Sequence, residues 1–219
     1  PVTIELAILS TLLSLCVALP LGILSATFRG TLLDHVVRVT SVLGQAVPSF
    51  WVAIMALTLL SIYAQWAPPF AYRPIWEDPR HNLEQMILPV VILGFAQSAP
   101  LMRMTRSTML ETLRNDYIRT ARAKGLSRRT VIWTHALRNA LIPIVTVIGI
   151  QTGTLIAGSI VLEQIFSLPG IGKLTLESIT SRDYTQLQFN VLVLASAVLV
   201  VNLVVDLSYH FLNPRVRVS

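Results

Sequence analysis

Residues 86–104 read MILPVVILGFAQSAPLMRM, and residues 105–139 read TRSTMLETLRNDYIRTARAKGLSRRTVIWTHALRN. An apolar run of nearly membrane-spanning length gives way to a basic one, and this junction decides how the chain is read. About 20 consecutive apolar residues cross a bilayer as a helix. The basic stretch is too polar for hydrocarbon and longer than a connection between two spans requires. It carries its own periodicity, since Leu110, Leu113, Tyr117 and Ala121 recur at helical spacing. Gly125 suits the left-handed stop after a helix, and Ser127 suits the N-cap of the next. Val131, Ile132, His135 and Ala136 continue a second face. The spacing predicts a basic helix–turn–helix hairpin over 105–139, broken at Gly125.

Outward from this junction lie four more apolar runs, at about 4–28, 36–63, 140–162 and 189–211. They are continuous, whereas a barrel strand alternates in polarity over about ten residues. The 219 residues are 53% hydrophobic and 13% charged, against roughly 25% charged in a soluble domain. That excludes a soluble globule, a disordered tail and a coiled coil. The single cysteine, Cys16, excludes an intrachain disulfide and a multi-cysteine metal site. The expected architecture is all-α and polytopic, with residues 1–219 forming one transmembrane domain. Pro20, Pro48, Pro89, Pro100 and Pro143 fall within the runs, as plain kinks or as hinges of a path that opens and closes.

Cytoplasmic loops collect Lys and Arg. Arg29 and Arg38, nine basic residues from Arg103 to Arg138, and Arg215 and Arg217 share one face of a five-span chain. Arg73, Arg80, Lys173 and Arg182 occupy the other. The first face is assigned to the cytoplasm, which puts the N-terminus outside and the C-terminus inside. The sequence opens on Pro1 without a basic leader, and a chain starting outside is awkward to insert. One further span upstream is therefore expected, six in all.

The basic segment has three readings on physical grounds: a solvated loop, a binder of anionic lipid headgroups, or a docking element for a soluble protein. Mixed Arg, aromatic and apolar character suits the third.

The motifs DYIRTARAKGLS at 116–127 and HALRNALIP at 135–143 resemble the coupling loop of inner-membrane permeases of ATP-binding-cassette importers. The peptide group, which also holds nickel and glutathione permeases, is the nearest in pattern. MRMTRSTMLE at 102–111, EQIFSLPGIG at 163–172, RDY at 182–184, NLVVD at 202–206 and NPR at 213–215 resemble other parts of the same family. The family's Glu-Ala-Ala, three residues, Gly signature survives only as Ala121 and Gly125, with Arg119 and Thr120 in its first two places. Those departures resemble the peptide-type variant.

The resemblance implies a type I importer permease, the MetI-like fold, in the bacterial inner membrane. It implies that a helix formed by Asp116, Tyr117, Ile118, Arg119, Thr120, Ala121, Arg122, Ala123, Lys124, Gly125 and Leu126 docks on a cytoplasmic ATPase. Tyr117 and Ile118 would fill an apolar notch there, and Arg119, Arg122 and Lys124 would meet acidic or carbonyl groups. It also implies a second homologous permease, two ATPase subunits and an extracytoplasmic binding protein as partners, besides the bilayer. Nucleic acid is not an expected partner. The cargo it implies is a di- or oligopeptide, with nickel or glutathione as alternatives. ATP and magnesium would be used by the partners. This chain has no phosphate-binding G-x-x-x-x-G-K-[ST] loop, so neither a cofactor nor an enzymatic activity is expected of it. The competing class is an ion-driven carrier or channel whose basic loop meets lipid.

Polar residues within the runs mark a candidate path: Gln97, Ser98, Gln151, Thr154, Ser159 and Asn202. Helix–helix hydrogen bonding explains such residues equally well. Gly149 and Gly153, with Ala157 and Gly158, have the small-residue spacing of close helix packing, which the family sets against a sister permease. Residues 163–188 are too polar to span. Pro169 and Gly170 mark a turn there, and 173–179 is expected to be a short surface helix.

Overall fold

The computed structural model describes residues 1–69 and 71–212, with the backbone alone at 156–158 and 209–212. The expected roles of Arg215 and Arg217, the NPR motif, the packing of Ala157 and Gly158, and the side chain of Phe211 at the end of the last run lie outside what is described. The described elements are all helical: α1 (Val2–Thr27), α2 (Leu32–Ala46), α3 (Ser49–Tyr63), α4 (Pro79–Thr112), α5 (Asp116–Ala123), α6 (Arg128–Thr130), a π-helical turn (Val131–Ala136), α7 (Leu137–Gly158), α8 (Ile160–Ile165), α9 (Ile171–Ser181) and α10 (Tyr184–Leu212). Among the described residues, four rods are long and apolar enough to cross a membrane, one of them running unbroken from Arg128 to Leu155.

The run 36–63, expected as one span, is two helices bent by 93°. Pro48 is the cause. Its ring disfavours the helical region for the residue before it, and Val47 is accordingly extended at φ −89°, ψ 123°. Pro48 lacks an N–H, so the break there strands no donor of its own. Pro20, Pro89, Pro100 and Pro143 remain inside their helices.

The basic segment also differs from the expected hairpin. Helix α4 continues to Thr112, so the third run does not end at 104. The residues after Ser127 run through the π turn directly into α7. Only α5 stands as a separate helix between the two rods. Its predicted punctuation is present: Gly125 sits at φ +78°, and the Ser127 hydroxyl accepts the Thr130 N–H at 3.2 Å.

Helices α1 and α4 are parallel neighbours. A methyl on Gly94 would meet Leu13, and one on Gly22 would lie 2.6 Å from Thr105 and 3.0 Å from the Met102 carbonyl. In lipid, apolar burial does not drive helices together, and close approach through small residues does. Helix α7 runs antiparallel to α1, with Thr11 level with Thr152 and Thr27 level with Arg128. Gly149 and Gly153 pack on Val205 and Val198 of the chain's own α10. In this structure they serve an intrachain seam. Two apolar cores result. One gathers Leu101, Met109, Ile118, Val131 and Ile144 at the basic end. The other gathers Leu6, Met86, Leu162, Phe166 and Leu168 at the opposite end.

Candidate functional site

Helix α5 has two faces. Ile118 is fully buried and Ala121 nearly so, both seated in the core of the basic end. The rest is exposed: Asp116, Arg119, Thr120, Arg122, Ala123 and Lys124 face outward, and Tyr117 and Leu126 are each 40% exposed. Ile118 therefore anchors the helix and does not project with Tyr117 as expected. Its side chain falls on the same stripe as Ala121, three residues on, and that stripe packs on the π-helical turn at Val131–Ala136. Arg119 pairs with Asp116 at 3.4 Å, and the Thr120 hydroxyl donates to the Asp116 carbonyl at 3.0 Å. Asn139 donates its amide to the Tyr117 hydroxyl at 3.0 Å, tying α5 to the start of α7. After Lys124 the chain reverses at Gly125, whose N–H donates to the Arg122 carbonyl at 2.9 Å.

Beside this helix lies an ion pair that spacing did not reveal. Asp34, in the first turn of α2, has only 2% of its side chain exposed. Arg106 of α4 donates to both of its oxygens, at 2.7 and 3.0 Å. Ser25 donates at 2.6 Å and the Gly30 N–H at 2.9 Å. A bidentate guanidinium satisfies a buried carboxylate in fixed geometry, so α1, α2 and α4 are pinned at one point. Nearby, Arg128 donates to the Thr27 carbonyl at 3.0 Å and stacks over the Phe28 ring at 5.2 Å.

The candidate path residues do not form one lining. Gln97 and Gln151 meet across α4 and α7, where the Gln97 amide donates to the Gln151 carbonyl at 3.4 Å. Thr154 is exposed and bonds back to the same carbonyl at 2.8 Å. Ser98 is buried and bonds within α4 to the Phe95 carbonyl. Asn202 is exposed on α10. Ser159 is buried and donates to Glu163 at 2.9 Å.

That last contact opens a network at the end opposite α5. Glu163 is fully buried. It accepts from the Thr3 hydroxyl at 2.7 Å, from Ser159 and from the Lys173 N–H at 3.0 Å. The Thr3 oxygen in turn accepts the Ile171 N–H at 3.0 Å. The carboxylate sits where the first turn of α9 leaves its N–H groups unpaired, and it satisfies them from another element. Gly170 is required there because a methyl would fall on the Glu163 carboxylate. Outside the spans, Tyr72 donates its hydroxyl to Glu5 at 2.7 Å, and burial together with that carboxylate holds it well above the usual tyrosine range. Among the described residues, no three His, Cys, Asp or Glu side chains group as metal ligands.

An exposed basic helix thus lies beside a bundle of apolar, proline-containing rods. The family model described as binding-protein-dependent transport system inner membrane component matches residues 18–218, and the chain belongs to that family. It is 41% identical over 237 residues to a di/tripeptide transport system permease protein of Pseudomonas aeruginosa, covering 99% of this chain and 70% of that one. It is 40% identical over 238 residues to the dipeptide transport system permease protein of Escherichia coli K12, covering 98% and 70%. A peptide transport system permease protein described for Brucella abortus is 44% identical over 217 residues, covering 99% and 69%. The fold matches an inward-facing structure of the MetNI methionine ABC transporter with a TM-score of 0.73 at 15% identity, covering 96% of this chain and 93% of that one. The chain is thus an all-helical permease with the MetI-like fold. Membership in this family sets aside the ion-driven carrier.

Proposed function

We propose that this chain, with a second homologous permease, forms the translocation path of an ATP-driven importer for di- or oligopeptides. Nickel and glutathione rank behind peptides because the relatives found are peptide permeases by name. The basic end, with α5, faces the cytoplasm and two ATPase subunits. The N-terminus of this chain lies outside and the C-terminus inside. The opposite end, around α9, faces an extracytoplasmic binding protein. ATP and magnesium act in the ATPase subunits, and this chain binds neither and catalyses nothing. Gln97 is the path residue best supported, since its amide reaches from α4 to the main-chain carbonyl of Gln151 in α7.

One observation carries the reading: α5 is held from below by Ile118 and Ala121 while its Arg, Tyr and Leu side chains face outward beyond the rods. A helix seated this way transmits a push. When the ATPase pair closes, a docked α5 moves with the ends of α4 and α7, and kinked rods tilt between two packings. Gly125→Pro tests it. Proline forces φ to about −65°, against +78° here, and deletes the N–H that closes the turn. Uptake should fall to background while the assembled complex still hydrolyses ATP, now insensitive to binding protein and peptide. Wild-type uptake would remove α5 as the coupling element.

A further inference from the structure

The basic end carries more cations than its carboxylates use. A cleft of about 750 Å³ opens between the α1–α2 turn and the end of α4, walled by Arg29, Arg38, Arg106 and Arg114, with Glu111 and the buried Asp34 as its acids. A smaller cavity of about 200 Å³ adjoins it and shares Arg29 and Arg114. Asp34 is consumed by Arg106 and Arg38. Among the described residues, neither Arg29 nor Arg114 is in an ion pair, and both are exposed to the cleft. The site is built rather than merely charged, because the buried Asp34 holds the Arg106 guanidinium in place from both oxygens. Phe28 and Leu32, one and three residues from Arg29 along the chain, are exposed.

We propose that this cleft binds a phosphate-bearing anion. Guanidinium groups that converge on a space of this size suit the tetrahedral, multiply accepting phosphate oxygens. Basic pockets between helices near the membrane surface take phospholipid headgroups, and exposed Phe28 and Leu32, close to Arg29 along the chain, give acyl chains a surface. The phosphate can arrive on a phospholipid or free in solution, and the two sources separate experimentally. The cleft adjoins α5 through Asn115, and the smaller cavity reaches Arg122 of that helix. The site is independent of cargo, so failure of the peptide reading leaves it standing.

The test uses the assembled transporter in nanodiscs of phosphatidylglycerol or of phosphatidylcholine alone, with retained lipid counted by native mass spectrometry. Wild-type complex should retain phosphatidylglycerol in preference to phosphatidylcholine. The R29Q R114Q double variant should lose it by roughly thirtyfold, at about fivefold per arginine. The control R103Q R129Q removes the same charge from exposed positions outside the cleft and should retain it. Displacement by millimolar inorganic phosphate would support the site with free phosphate as its source, and retention through that wash would support the lipid. Equal retention by both double variants overturns the proposal, as does a wild-type complex that holds neither phosphatidylglycerol nor phosphate. An acidic segment of a partner protein would then be the better occupant.

Discussion

Two short helices sit at opposite ends of the molecule and are held in opposite ways. Helix α9 is tied by a buried polar network: Glu163 joins Thr3 of α1, Ser159 and the first turn of α9. Helix α5 rests on two apolar side chains and one exposed hydrogen bond, Asn139 to Tyr117. Buried hydrogen bonds are demanding in distance and angle and costly to leave unmade. Apolar contacts tolerate small slips. Accordingly α9 belongs to one body with α1 and α8, whereas α5 is a seated piece that can be gripped from outside.

Breaking the polar end should have the largest effect. Glu163→Leu strands two hydroxyls and one N–H around a fully buried position, at about 1–3 kcal/mol each. Thermal unfolding of the solubilised complex should drop by several degrees or more. A change of less than one degree would mean that α9 is held no more firmly than α5. Ile118→Ala comes next. Removing a buried isoleucine side chain costs about 2–5 kcal/mol when the cavity stays open. The value here should lie near the low end, because a short surface helix can settle into the gap. Its sharper signature is ATPase association, which should weaken although residue 118 never reaches the surface.

The smallest effect sharpens the claim that polar ties matter when they are buried. Asp78 caps α4 at the same end as Glu163 but is open to solvent. It accepts the His81 N–H at 3.1 Å, and that bond, helped by Arg73, holds its carboxyl below the usual range. A lowered folded value means that the stabilisation is present above the ordinary carboxylate range and is lost as the pH falls below about 4. Amide exchange in the first turn of α4 should quicken modestly over that range. Asp78→Asn should flatten the dependence.

Most of the fold was legible in the sequence, because the rods are written as uninterrupted apolar runs and Gly125 and Ser127 punctuate the basic segment as expected. The break at Pro48 was visible only as a proline. Composition does not change across it, and four other prolines stay within helices. The inward turn of Ile118 could have been read from its spacing to Ala121, had the stripe been drawn through 118 rather than 117. Asp34 and Glu163 were not legible as a pair of anchors. Their partners stand as far as 72 and 160 residues away, and no local pattern reports such a meeting. Glu163 lay inside a recognised motif, yet a lone acid in a polar connection looks solvated until the fold closes over it.

The parallel seam between α1 and α4 has a consequence for biogenesis. Parallel neighbours cannot be joined by a tight turn, so the bent α2–α3 pair must first carry the chain back across the bundle. During synthesis α1 reaches the membrane long before the residues that meet Gly22, Met102 and Thr105, have been made. Until then its notch stands open to lipid or to a chaperone. The close seam is therefore a late step of assembly, and a bulkier residue at position 22 should first be noticed as poor insertion and rapid turnover in the cell.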